Sequence, residues 1–446
     1  MPFALHYAQH ITRLRELYAE ALVLTGFEAV LLHSGSEQVY FADDQHPAFR
    51  ANPHFLHWLP VNRPEQMVLL IPGETPIYFQ VIPPDFWYEQ HITLEDWVAC
   101  AFERITLERS TDMATHLGPL LSRHGIDLAA LAFMGENTAF AEALGIAAPA
   151  RNPARLLNTL DYHRAIKSEY EVASIRKANQ LALRGHTAAR HAFADGGSEY
   201  DIHMAYLQAC GMLDEEMPYP TIVALDEKAA ILHYQNKRRE SGANSQVLLI
   251  DAGCRVNAYC SDITRTWTRP ATSSLFKDLV EAMEAMQTAL VASVRPGMPY
   301  PDLHRAAHEG ITNILLGAGI CRGSREALLE HKMSTLFMPH GVGHLLGIQV
   351  HDVGGRMKNA QGEIQLPPED YPALRTTRMI ESGQVFTVEP GLYFIPVLLN
   401  PERNTPRGKL INWDVVDAMT PLGGIRIEDN VRVTDTGVEN LTRVLI

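Results

Sequence analysis

Three histidines and three glycines fall within Pro339-His340-Gly341-Val342-Gly343-His344-Leu345-Leu346-Gly347-Ile348-Gln349-Val350-His351-Asp352. Imidazole binds first-row divalent metals well and is an acid or base near neutral pH. Glycine lets backbone approach a ligand closely. A single histidine on an apolar face is usually a satisfied core residue, but three in a glycine-rich stretch point to a site. Carboxylates stand at equally suggestive places. Asp251 ends the apolar run Leu248-Leu249-Ile250 and precedes Gly253, so its carboxylate would be held, partly desolvated, at a strand end. Asp262 follows in Cys260-Ser261-Asp262-Ile263-Thr264-Arg265-Thr266, where a strand, a turn and a returning strand could bring both acids together. Neighbouring carboxylates repel unless a cation lies between them. Taken alone, the two are equally compatible with ordinary turn aspartates. Glu389 closes the apolar run Val385–Val388. Glu428 lies in Gly424-Ile425-Arg426-Ile427-Glu428-Asp429-Asn430, where alternation puts Arg426 and Glu428 on one face.

These residues need elements to hold them. Residues 5–24 read as an amphipathic helix. Ala29–Leu32 and Met67–Ile71, the latter closed by Pro72-Gly73, read as buried strands. Ile77–Phe79, a helix near 111–124 and a short strand near 129–134 complete a small α/β unit. Residues 152–162 show no clear periodicity. Ser168 and Glu171 then form a capping box ahead of the apolar stripe Val172, Ile175, Ala178 and Leu181, so a domain boundary is expected near 160–165. Further helices are expected over 275–293 and from Pro301 to Gly317–Gly319, with strands and turns elsewhere. Leu248–Gly253 and Phe386–Gly391 echo one another, each an apolar strand ending in acid-x-Gly.

At 446 residues the chain exceeds what one core usually serves, so two domains are expected. A formal charge of −14 without a basic run argues against nucleic acid as a partner. No apolar stretch approaches the length of a membrane span, and no signal peptide is read at the N-terminus. Cys100, Cys210, Cys254, Cys260 and Cys321 are odd in number and lack CxxC spacing. That suits a reducing compartment, hence a cytoplasmic location, and argues against thiolate zinc.

Asp251, Asp262, His344, Glu389 and Glu428 resemble, in order, type and context, the five metal ligands of the pita-bread metallopeptidases, which include methionine aminopeptidase, aminopeptidase P and prolidase. Tyr40–Asp44 and Asn52–Phe55, with the ligand contexts, are most similar to the bacterial proline dipeptidases and the related organophosphorus acid anhydrolases. The resemblance implies an α/β N-terminal domain over 1–162 and an α+β pita-bread (creatinase/aminopeptidase-like) catalytic domain over 163–446. It implies two divalent metals, foremost Mn(II), with Co(II) or Zn(II) also suited to four carboxylates and an imidazole. Two such ions can lower the pKa of a shared water. The expected reaction is hydrolysis of Xaa-Pro dipeptides, with incidental attack on phosphotriesters. Glu389 is the expected proton shuttle, His351 a contact to the scissile carbonyl, and His340 and His233 lining residues. Arg375, in Leu374-Arg375-Thr376-Thr377-Arg378, is the expected clamp on the substrate carboxylate, with Arg426 a second candidate; Arg375 also reads as a solvated loop cation. Tyr219 and Tyr300 would wall the pocket. The resemblance further implies a homodimer in which Trp87 and an acid from Asp43-Asp44 close the partner's site, although Trp87 also reads as core. Aminopeptidase P is the nearest competing activity. A non-catalytic pita-bread binding protein competes from another class, but such proteins lose ligands that this chain keeps.

Overall fold

In the computed structural model, which describes residues 2–443, the apolar runs become inner strands of a five-stranded sheet. Its strands are β1 (Ala29–His33), β2 (Met67–Leu70), β3 (Ile77–Val81), β4 (Glu103–Leu107) and β5 (Leu131–Met134), in the order β4-β3-β2-β1-β5. β1–β2 and β2–β3 are antiparallel, and β1–β5 and β3–β4 parallel. Every residue of β1, β2, β3 and β5 is buried, which is why they read as continuous rather than alternating apolar runs. β4, at one edge, escapes that pattern by exposing Glu103, Arg104 and Thr106, whereas β5 at the other edge is buried. The helices Pro2–Thr25 and Met113–Arg123 form where periodicity places them, and Leu117, Leu120 and Leu121 join Leu31, Phe79 and Phe133 in one core.

Residues 152–162 depart from expectation, because a helix spans Ala154–Arg164. Its buried positions, Leu156, Thr159, Leu160 and Arg164, have helical spacing, but two of the four are polar, so a hydropathy stripe does not register.

The chain divides into two compact units. One comprises the chain through Arg164 with Ser168–Ala173 and Asn359–Glu363, and the other comprises the remainder. The helix Glu169–Ala194 opens on the expected capping box: the Ser168 N–H donates to Glu171 Oε2 at 2.7 Å and the Glu171 N–H to Ser168 Oγ at 3.4 Å.

The second unit holds the antiparallel sheet β10-β7-β6, built from β6 (Ile222–Leu225), β7 (Val247–Asp251) and β10 (Thr264–Thr268), with the small hairpin β8 (Arg255–Val256) and β9 (Tyr259–Cys260) between β7 and β10. A second sheet orders β11 (Val385–Val388), β14 (Asp429–Val433) and β15 (Val438–Asn440), while β12 (Gly391–Tyr393) pairs with β13 (Gly424–Arg426). The helices Ser274–Ser293 and Tyr300–Gly317 send Phe276, Leu279, Met283, Leu303, Ile311 and Leu315 into a core shared with Phe386, Val388, Ile425 and Val431. The strand-and-turn expectation for the remainder is incomplete. Arg325–Glu330, Pro396–Leu399 and Trp413–Met419 are helical, each too short for periodicity to reveal. Among the described residues, no helix is long and apolar enough to cross a membrane.

Candidate active site

Register does most of the assembly. Along β7 and β10, Asp251 stands opposite Thr264. The β8–β9 hairpin, rather than a simple turn, returns the chain so that Asp262 arrives just before β10. Along β11 and β14, Val388 stands opposite Asp429, so Glu389 and Glu428 lie side by side one step beyond that rung. The Glu428 N–H donates to Thr264 O at 3.0 Å and ties the two sheets at the acids. The His344 loop is laid against β11: the Thr387 N–H donates to His344 O at 2.9 Å and the Glu389 N–H to Val342 O at 2.8 Å. Gly343 permits this, because a Cβ there would stand 2.0 Å from Thr387 O and 2.6 Å from the Tyr300 hydroxyl. The glycines were expected to admit a ligand, but this one admits a neighbouring strand.

The result is a cavity of about 240 Å³ lined by Asp251, Asp262, His344, Glu389 and Glu428, together with His233, His340, His351, Arg375 and Arg426. His344 Nε2 lies 3.4 Å from Asp262 Oδ2 and 3.7 Å from Glu389 Oε1. Its Nδ1 donates to Leu345 O at 3.1 Å, so Nε2 is the nitrogen aimed at the cavity. Against burial, the Asp262 hydrogen bond and Glu389 raise the ring's pKa and hold a proton on Nε2 in the metal-free site, where a bound cation would instead take the lone pair. Ligand atoms of Asp262, His344 and Glu428 all fall within 4.8 Å of one another.

Crowding sets the electrostatics. Burial and the neighbouring Asp262 push Asp251 up to about 6, against the pull of Arg426. Burial pushes Glu389 up to about 7. Burial, Asp262 and Glu389 push Glu428 well above the carboxylate range. Burial also acts on Asp262, but the His344 hydrogen bond outweighs it and holds that acid low. One Tyr219 hydroxyl stands 2.7 Å from Asp251 Oδ1 and 2.5 Å from Asp262 Oδ1, although it has a single proton to donate. Glu428 Oε1 is buried without a hydrogen-bond partner. Four acids, one of them with an orphaned oxygen, and an imidazole form a donor set that divalent cations fit.

The remaining expected residues separate. His340 lines the cavity with both nitrogens engaged, Nδ1 on Gly341 O at 2.8 Å and Nε2 receiving the Tyr393 hydroxyl at 3.0 Å. Burial and Arg426 bring its pKa down to about 3. His351 stands edge-on to His344, with ring centroids 4.4 Å apart, and burial brings it down to about 4. Arg375 and His233 are exposed on the rim. Arg426 is buried, donating to Asp251 Oδ2 at 2.7 Å, to Tyr393 at 2.9 Å and to Thr264 Oγ1 at 3.1 Å. Tyr219 holds the two aspartates. Tyr300 does not wall the pocket: it is fully buried behind the Gly343–Thr387 contact, with its hydroxyl on Thr387 O. Trp87 is not core; it is 77% exposed on the first unit, tilted against Phe86. Asp43 and Asp44 are likewise exposed on that unit. Sequence reasoning missed Tyr393, Thr264 and Asn430. Thr264 Oγ1 donates to Glu428 Oε2 at 2.6 Å, and Asn430 Oδ1 accepts the Asp262 N–H at 3.0 Å. Their one signal is proximity in sequence: Thr264 and Asn430 stand two residues beyond Asp262 and Glu428, and Tyr393 four beyond Glu389.

Residues 173–435 match the model of metallopeptidase family M24, and residues 5–162 match the Xaa-Pro dipeptidase N-terminal domain. The chain is 42% identical over 444 residues to an Xaa-Pro dipeptidase of Pseudoalteromonas haloplanktis, covering 99% of each. It is 41% identical over 441 residues to one of Shewanella baltica, covering 99% of this chain and 98% of that one. Among solved structures it resembles Escherichia coli aminopeptidase P with a TM-score of 0.73 at 23% identity, over 98% of this chain and 95% of that one. It also resembles Pseudomonas aeruginosa aminopeptidase PepP with a TM-score of 0.71 at 24% identity, over 98% and 94%. At these identities the structural likeness carries the pita-bread fold alone. The chain belongs to metallopeptidase family M24, and its full-length relatives place it in the Xaa-Pro dipeptidase branch of that family.

Proposed function

We propose that this chain hydrolyses Xaa-Pro dipeptides with two divalent metals held by Asp251, Asp262, His344, Glu389 and Glu428. The observation that carries the reading is the crowding of four carboxylates around the His344 imidazole, with Glu428 Oε1 buried and unpartnered. When bound, the cations would supply Lewis-acid stabilisation of oxygen charge and a lowered water pKa. The oxygen-rich donor set favours Mn(II), with Co(II) and Zn(II) as alternatives.

The chain's own residues do the rest. Glu389, a carboxylate at the cavity wall beside His344, is placed to accept a proton from the attacking water. The water oxygen bonds to the scissile carbonyl carbon, and the C–N bond to proline breaks. The same carboxyl then returns the proton to the proline nitrogen, which as a tertiary amide carries no hydrogen of its own. His351, kept neutral by burial, faces the cavity beside His344 and can donate to the carbonyl oxygen. His340 and His233 shape the wall. Arg375, exposed on the rim, can hold the substrate carboxylate in a charge-assisted bond. The same attack extended to phosphorus would give the incidental phosphotriesterase activity.

A homodimer is supported by the exposed aromatic run Phe86, Trp87 and Tyr88, and a cytoplasmic location by five free cysteines. The deciding assay presents Xaa-Pro dipeptides and Xaa-Pro-Yaa tripeptides to metal-free chain, with and without added Mn(II). Dipeptide cleavage that needs the added metal is expected. Full activity in verified metal-free protein would overturn the metal centre, and faster tripeptide cleavage would make the chain an aminopeptidase.

A further inference from the structure

A second groove, of about 670 Å³, runs along the helix Glu169–Ala194 above β10. Its lining includes Leu183, Arg184, His186, Arg190, Arg265 and Trp267 and contains no acidic side chain, in a chain whose formal charge is −14. Leu183, Arg184, Thr187 and Arg190 share one helix face through three-, four- and seven-residue spacing. Arg184 and Arg190 are exposed and make no ion pair or hydrogen bond among the described residues. Their charge is therefore uncommitted. Arg265 differs: it donates to Glu428 O at 2.7 Å and to Asp429 Oδ1 at 2.7 Å, so it forms floor rather than free charge.

His186 belongs to the groove's floor. It is 2% exposed, and Nε2 donates to Ala252 O at 3.0 Å. Nδ1 is sealed from solvent, so His186 contributes ring packing to the groove floor rather than a hydrogen bond. Trp267 packs edge-on to His186, with centroids 6.0 Å apart, and with Leu183 offers a partly exposed apolar surface.

We propose that this groove binds a small organic anion of the mononucleotide class. Its phosphate would pair with Arg184 and Arg190, and its ring would lie on Trp267 and Leu183. The site is separate from the five-ligand cavity and does not depend on the dipeptidase reading. The test is calorimetric titration of AMP, GMP, CMP and UMP into the Mn(II)-loaded full chain, with adenosine as the uncharged control. At least one mononucleotide should bind saturably at one site per chain. Its affinity should fall at least tenfold in R184Q/R190Q and weaken with added salt, since exposed charge is screened. Both arginines are exposed, so this variant should retain parental dipeptidase activity, which verifies its fold. Absence of saturable binding by all four nucleotides overturns the proposal. So does binding that is unchanged in R184Q/R190Q, or that disappears when only the metal is removed.

Discussion

The Arg426 guanidinium donates from Nη2 to Asp251 Oδ2 across 2.7 Å, in a pair that is nearly sealed from solvent. Its Nη1 donates to Tyr393 and its Nε to Thr264, and Tyr393 in turn donates to His340. Arg426 is thus spent on orienting a metal ligand and the cavity wall.

Arg426→Lys should therefore act on the metal. Loss of the outer partner of a ligating carboxylate typically weakens metal binding 10- to 100-fold. A Mn(II) activation titration should shift to higher concentration by about that factor, with KM for the dipeptide nearly unchanged at saturating Mn(II). A large rise in KM with no shift in metal affinity would return Arg426 to the role of substrate clamp.

Arg375→Ala should do the reverse. Exposed on the rim, Arg375 has no metal ligand to hold. Removing its charge-assisted bonds should cost about 1.5–3 kcal/mol of substrate binding, read as a raised KM for Gly-Pro. Dipeptides amidated at proline should be poor substrates for the parent and discriminate little against the variant. Equal cleavage of free and amidated dipeptides by the parent would show that no clamp exists.

Glu389→Gln keeps the side chain's volume but removes the proton acceptor and a ligand charge from the cavity. Turnover should fall by about 10²- to 10⁴-fold while thermal unfolding stays close to the parent's. A loss of less than tenfold would move the shuttle to another residue.

Acid should weaken the fold through histidines that are buried neutral. Burial brings His57 and His308 down to about 4 and His186 to about 3. Unfolded histidine titrates near 6.5. Below that pH the unfolded chain takes up protons that the folded chain refuses, so the contribution is whole above about 6.5 and is lost as pH falls towards 4. At pH 5 each such group costs about 2 kcal/mol. Asp251 and Glu389, raised in the fold, act in the opposite sense, so the informative quantity is a difference. Between pH 7 and pH 5 the guanidinium unfolding midpoint should fall less in His57→Gln than in the parent. Identical pH slopes for the two would remove His57 from the account.

Much of the architecture was legible where one physical signal dominated. Continuous apolar runs marked strands buried on both faces, and Ser168 with Glu171 marked a helix start that the backbone adopts. Legibility failed where the buried face was polar, as at Thr159 and Arg164, or where an element was too short to repeat, as in Arg325–Glu330. In the site, donor types and their chain order were plain because ligand chemistry resides in side-chain type. The partners of those donors were not. Tyr393, Thr264 and Asn430 are common residues whose significance arises only from standing opposite an acid.

By itself the amino-acid sequence determined which atoms are available for chemistry: four carboxylates and an imidazole at strand ends and in a glycine-rich loop, and a chain too acidic for nucleic acid. Only the tertiary structure decided how they are used. It put Arg426 on Asp251 and left Arg375 on the rim. It withdrew Tyr300 into the core and set Trp87 in solvent. Residue type specifies what a group can do locally, whereas its neighbours follow from strand register and from loop closure across more than a hundred residues. Burial, and hence every shifted pKa in the cavity, is a property of those neighbours.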